Sequence, residues 1–244
     1  MNRALLLIPI VLLSEFPTQG EEKRLTLKQA QADFGVADEE LNEAWAQARA
    51  KLPASLFAEL KDEQRAWVEH RDYLALSPGY SGVESDAADP KKSVEYLSAA
   101  AALTEERVVW LKSLMRKESE SMTGKWSDSY GGHMEIVERE GKLHFTIEVV
   151  RGPTAHLGGI AGIASWNYPI GWFSDKGRDN AKTTETNLAF VLRNGRLQIT
   201  GANTSEYHGA RAYFDGRYVR VSDLDEAAQA KVQKAAMTGE ISEE

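Results

Sequence analysis

The sequence predicts an α+β fold: an N-terminal three-helix, bundle-like domain, then a small antiparallel β-barrel or sandwich, then a C-terminal helix. Three observations carry this expectation. Residues from about 25 to 118 are rich in Ala, Leu, Glu, Lys and Arg, which are good helix formers. Residues from about 123 to 221 hold most of the glycine and alternate β-branched or aromatic side chains with polar ones. Beyond Ser222 the spacing returns to a helical period. The expected division is a signal peptide at 1–20, a helical domain at 21–118 and a β domain with its C-terminal helix at 123–240. Ser119-Glu120-Ser121-Met122 serves as linker.

In the first half, Leu41, Ala44, Trp45, Ala48 and Leu52 mark one helical face. Asp38 is placed to cap that helix, with Glu39 and Glu40 in its first turn, and Pro53 ends it. A second helix is expected from about Ala54 to Leu76, with Leu56, Leu60, Trp67 and Leu74 on one stripe. Pro78, Gly79, Gly82 and the polar run to Pro90 make a loop. The third helix keeps a 3-4 spacing through Val94, Leu97, Ala101, Thr104, Val108, Leu111 and Met115, which suits antiparallel packing in a small bundle.

In the second half, seven strands are expected: Gly124–Asp128, Met134–Arg139, Leu143–Val150, Gly159–Trp166, Asn187–Arg193, Arg196–Thr200 and Ala210–Val221. Glu140-Gly141 and Asn194-Gly195 mark tight hairpin turns, the second a strong type I′ signal. Ser222 is placed to cap a last amphipathic helix, Asp223 to about Met237, whose apolar side is Leu224, Ala228, Val232 and Ala235.

The N-terminus has the order of a secretory signal. Arg3 supplies positive charge, Ala4 to Leu13 is an apolar run, and Thr18-Gln19-Gly20 is a small-residue cleavage region. The run is about half the ~20 residues that a spanning helix needs. No cysteine occurs anywhere, which excludes a lipoprotein anchor, disulfides, thiol catalysis and zinc–thiolate sites. The expected location is therefore periplasmic or secreted, with no stable membrane insertion after cleavage. The 37 acidic and 29 basic side chains leave a formal net charge of −8. Such a surface disfavours nucleic acid and steers toward cationic partners.

Gln64, Trp67 and Arg71 fall on one face of the second helix. Burying two polar groups beside a Trp is costly unless each is hydrogen-bonded. One reading makes them a structural network bracing neighbouring helix ends, with Asp38 or Asn42 as partners and Arg71 paired to a carboxylate; the other makes them contact a ligand. Arg65 and Glu69 are spaced as a surface i,i+4 pair.

The run Asp38 to Trp45, then Leu52-Pro53, Leu60 and Gln64 to Asp72, resembles the LprI-like lysozyme-inhibitor family. The matching positions are Leu41, Asn42, Trp45, Gln64, Arg65, Trp67, Arg71 and Asp72, and Ala101 to Arg107 is similar to the family's closing helix. The resemblance covers about residues 30–117, and the sequence departs from the family pattern in lacking its cysteines. It implies a non-enzymatic protein that inhibits a cationic lysozyme-type muramidase for an exporting bacterium.

In the β half, Arg151 to Gly159 and Tyr207 to Gly216 place glycines beside His156, His208, Arg211 and Tyr213. Those glycines either let a backbone approach a ligand or make turns and bulges. Trp166, Tyr168, Trp172 and Phe173 form an aromatic stretch broken by Pro169 and Gly171, either barrel core or a surface for sugar or a partner. His156, His208, Arg211, Tyr213, Trp166 and Trp172 are the candidate ligand site. They support an alternative function, a cell-envelope module holding a small molecule or glycan. The histidines lack metal-ligand spacing, so neither metal nor other cofactor is expected. No nucleophile elbow, zinc motif or phosphate loop points to an enzyme.

Overall fold

The computed structural model describes residues 25–86, 88–116, 121–176 and 184–241. The signal peptide expected at 1–20 lies outside the described residues, as do Ser119 and Glu120 of the expected linker. Among the described residues no helix is long and apolar enough to cross a membrane.

Among the described residues, five α-helices and eight strands follow in order. Helix α1 spans Leu27–Lys51, α2 Ala54–Ala75, the single-turn α3 Pro78–Ser81, α4 Val94–Leu114 and α5 Glu226–Thr238. The strands are β1 Gly124–Ser127, β2 Gly132–Arg139, β3 Lys142–Arg151, β4 His156–Asn167, β5 Ile170–Ser174, β6 Asn187–Arg193, β7 Arg196–Ala202 and β8 Gly216–Ser222. Mixed α+β architecture is thus observed, and the sheet is a closed barrel, not a sandwich.

Helix α1 begins well before Asp38. Thr26 caps it, the Thr26 hydroxyl accepting from the Gln29 amide while Gln29 Oε1 accepts from the Thr26 amide. This is a capping box, and it lets the helix run through Gly35. Asp38 therefore lies inside the helix, where its carboxylate accepts from Asn42 Nδ2 at 3.2 Å. Pro53 separates α1 from α2, and Ser93 caps α4. Helix α4 is central, packing on α1 and α2. Its buried residues include Tyr96, Leu97, Leu103, Arg107, Val108, Trp110 and Leu111, so it is covered on more than the one stripe that its spacing suggests.

Every barrel strand pairs antiparallel with the next, and β8 closes on β1. Both expected two-residue turns are present: Glu140, Gly141, Asn194 and Gly195 all have positive φ, as type I′ geometry demands. Strand β5 is the one not expected. Pro169 and Gly171 disguise it, yet Pro169 sits in the turn and Gly171 opposes Phe190 within the ladder. The expected last strand from Ala210 begins only at Gly216.

Eight strands enclose a space that side chains can fill. Met134, Ile136, Phe145, Ile147, Phe173, Leu188, Phe190, Leu197, Ile199 and Tyr218 do so, with Phe145 touching both Phe173 and Phe190 at 5.1 Å between ring centroids. Helix α5 covers β2, β3 and β4, while α4 packs on β8. Asp225 caps α5, not Ser222, which is the last residue of β8.

Candidate functional site

Along α2 the motif residues make contacts inside the helical region. Gln64 Oε1 accepts from Arg107 Nε at 2.9 Å, tying α2 to the middle of α4. Trp67 is buried between two guanidiniums, Arg71 at 5.7 Å and Arg107 at 5.4 Å from its ring. Arg71 donates from Nε and Nη2 to Asp72 Oδ1 at 3.0 and 2.8 Å. Its partner is thus the adjacent carboxylate, and neither Asp38 nor Asn42, which bond to each other. Asp72 also accepts from Lys91 and from the Tyr96 hydroxyl. Burial pushes the Asp72 carboxyl up, but Lys91, Arg71 and Tyr96 together hold it below its ordinary range. Leu41 is buried, and Trp45 packs on Phe57 at 4.9 Å. Exposed Arg65 pairs with Asp62 at 3.2 Å and not with Glu69.

Helices α1 and α2 diverge from Pro53 and leave a groove of 930 Å³ between them. Trp45, Leu52, Phe57 and Val68 line it together with three cations, Arg49, Lys61 and Arg65, and one carboxylate, Glu69. Lys61 Nζ lies 5.6 Å from the Phe57 ring. An apolar floor with cations at the rim can seat an apolar projection and pair with carboxylates beside it.

The helices meet the barrel through a buried charged network. Arg107 is fully buried, stacked on Trp110 at 4.1 Å, with Nη1 3.6 Å from Glu63. Arg196 of β7 reaches the other Glu63 oxygen at 3.0 Å. One carboxylate thus serves two guanidiniums, and burial draws Arg107 down to about 10. Trp110 Nε1 donates to the Ser127 carbonyl, and Tyr130 donates to the Glu63 carbonyl. Of these residues only Arg107 lies in a segment that carries the family resemblance, the closing helix Ala101 to Arg107. Arg107 does fall between Thr104 and Val108 on the α4 stripe, the one local sign of its burial.

At the barrel end bearing the β1–β2 and β3–β4 loops, Arg151 and Asp128 form a buried pair at 2.7 Å. Asp128 also accepts from the Tyr130 and Gly132 amides, and Arg151 donates to the Tyr130 and Tyr213 carbonyls. The Asp128 and Arg151 side chains are thus bonded to each other and to the surrounding backbone, and they close this end of the barrel.

The six β-half candidates do not form one site. His208 bridges to Gly158, two residues from His156, and a Cβ on Gly158 would lie 2.5 Å from that of His208. His156 and His208 bond locally to Thr154 and Thr204. Tyr213 covers Arg151 at 4.5 Å, and exposed Arg211 has a left-handed backbone in the same loop. Trp166 and Trp172 lie toward the opposite end of β4, roughly 30 Å along the strand. Trp166 is core, whereas Trp172 is 53% exposed beside exposed Ile170 and Tyr168. The aromatic stretch is thus divided between barrel core and barrel wall. Among the described residues, no group of three or more acidic or His side chains could hold a metal ion.

Fold and site together describe a protein in which an N-terminal helical region, grooved between α1 and α2, is joined to a closed β-barrel through buried ion pairs. Residues 18–111, the N-terminal helical region, match the family described as lysozyme inhibitor LprI. That family is named for inhibition and not for catalysis, and the barrel lies outside the match. No curated protein and no solved structure matches the chain.

Proposed function

We propose that this protein is an exported, non-enzymatic inhibitor of a cationic lysozyme-type muramidase, and that the α1–α2 groove is the surface that meets the enzyme. The family match to the helical region carries this reading. The groove lies within the matched span and presents Arg49, Lys61 and Arg65 around an apolar floor. A lysozyme cleft works with one carboxylic acid and one carboxylate, so a cation held beside that cleft would pair with the groups catalysis needs. The net charge of −8 favours encounter with a strongly positive enzyme. The signal-like order of residues at the N-terminus supports an encounter in the periplasm or outside the cell.

The test is lysis of bacterial cells by chicken-type lysozyme in the presence of purified residues 21–244. Slowing is expected at about 1 μM protein, and K61E/R65E should lose it without change in the far-UV spectrum. No slowing by the unaltered protein overturns the proposal. A second reading, a glycan-binding module, draws on the exposed Tyr168 and Trp172 of the barrel wall. Retention on peptidoglycan that W172A loses, with no effect on lysis, would favour it.

A further inference from the structure

A second cleft separates α2 from the outer face of β6, β7 and β8. It has a volume of 380 Å³, and Arg193, Asn194, Arg196, Gln198, Arg217 and Glu59 are among its lining residues. The ladder puts these side chains together. Arg193 is directly opposite Arg196 across the β6–β7 turn, and Gln198 is directly opposite Arg217. Like charges opposite one another on a sheet face are destabilising, and here a third arginine adjoins them. Arg193 and Arg217 make no ion pair among the described residues.

Arg196 gives the independent observation. Its side chain is only 6% exposed, and although Nη1 reaches Glu63, Nε and Nη2 are buried with no hydrogen-bond partner. Glu63 is already shared with Arg107, whose Nη1 and Nη2 also lack hydrogen-bond partners. The region therefore holds more buried guanidinium donors than acceptors. A planar guanidinium fork matches the two oxygens of a carboxylate or phosphate.

We propose that this cleft binds a small multivalent oxyanion, carrying phosphate or carboxylate groups, through the exposed Arg193 and Arg217, with the buried Arg196 adding positive charge behind them. Gln198 and Asn194 add neutral polar groups at the rim. The site is separate from the α1–α2 groove and does not rest on the lysozyme reading. Its occupancy would strengthen the contact between helices and barrel, because the arginines belong to strands and the cleft's other wall is α2.

Calorimetric titration of the purified protein with inorganic phosphate, and separately with citrate, at constant ionic strength tests this. At least one should give saturable heat with Kd below about 1 mM and raise the melting temperature. R193A/R217A should weaken it at least about tenfold. Both positions are exposed, so the variant should keep the native far-UV spectrum. Phosphate alone binding identifies a phosphate site, and citrate alone a carboxylate site. No saturable heat from either, or unchanged affinity in the variant, overturns the proposal.

Discussion

His70 packs against Tyr130 with ring centroids 4.9 Å apart, and its Nε2 is buried without a partner. Burial lowers its pKa; Asp128 pulls it up and Arg151 pushes it down, and the net shift is downward from 6.5. A histidine with a depressed folded pKa contributes stability that is present above about pH 6.5 and lost as pH falls through the folded value. The unfolded chain then takes up the proton more readily than the native one. Melting temperatures measured from about pH 7.5 down to 5 should therefore fall, and H70Q should flatten that slope. An unchanged slope in H70Q would remove His70 from the account. Asp72 acts in the same direction at lower pH, since its depressed carboxyl stabilises above about 3.8 and loses that contribution in acid.

Strands show how far a local pattern reaches. In β3 the inward positions run Leu143, Phe145, Ile147, Val149 and Arg151. Strict alternation carries Arg151 to the inner face at the barrel end, one residue beyond the strand end expected at Val150. Its partner Asp128 sits in a loop outside any period. Gly132, the first residue of β2, lies against the pair. A Cβ there would come within 2.6 Å of Asp128 Oδ2, 2.7 Å of the Tyr218 hydroxyl and 2.8 Å of Arg151 Nη2. G132A should force these groups apart and cost about 3 kcal/mol or more, because separating a buried ion pair strands a charge. Chemical denaturation measures it, and a loss below about 1 kcal/mol would mean that the plug yields easily. At the α1 N-terminus the capping box of Thr26 and Gln29 was equally local, but Asp38 with two following glutamates imitated a start more strongly. Strand β5 was hidden for the opposite reason. Pro169 and Gly171 disfavour a strand, and only pairing with β4 and β6 overrides them.

At the scale of the molecule, helices and barrel share a core. Val219 of β8 belongs to the helical cluster with Trp110 and Leu111, and the Glu63 carboxylate binds Arg107 on one side and Arg196 on the other. An interface this buried, joined by both apolar packing and shared ion pairs, should couple the two unfolding transitions into one. Far-UV circular dichroism and tryptophan fluorescence should then give coincident denaturant curves. W110A should shift both together by about 3–5 kcal/mol, since it empties a fully buried position and removes the surface on which Arg107 and Arg196 stack. Two resolved transitions would show that the halves stabilise themselves separately.

The amino-acid sequence by itself determined the helical and β halves, the two tight hairpin turns, the apolar faces and the resemblance of the helical region to lysozyme inhibitors. Each rests on spacing within a few residues, where period and turn chemistry act. Tertiary structure alone decided that the sheet closes through β5, and that the six candidate residues of the β half separate toward two ends of one strand. It also decided which charges are buried. Arg196 lies on the outer face of its strand, a position that alternation assigns to solvent; it is buried because α2 and α4 lie over it. Burial on an outer face depends on what packs there, and no period within the strand records that.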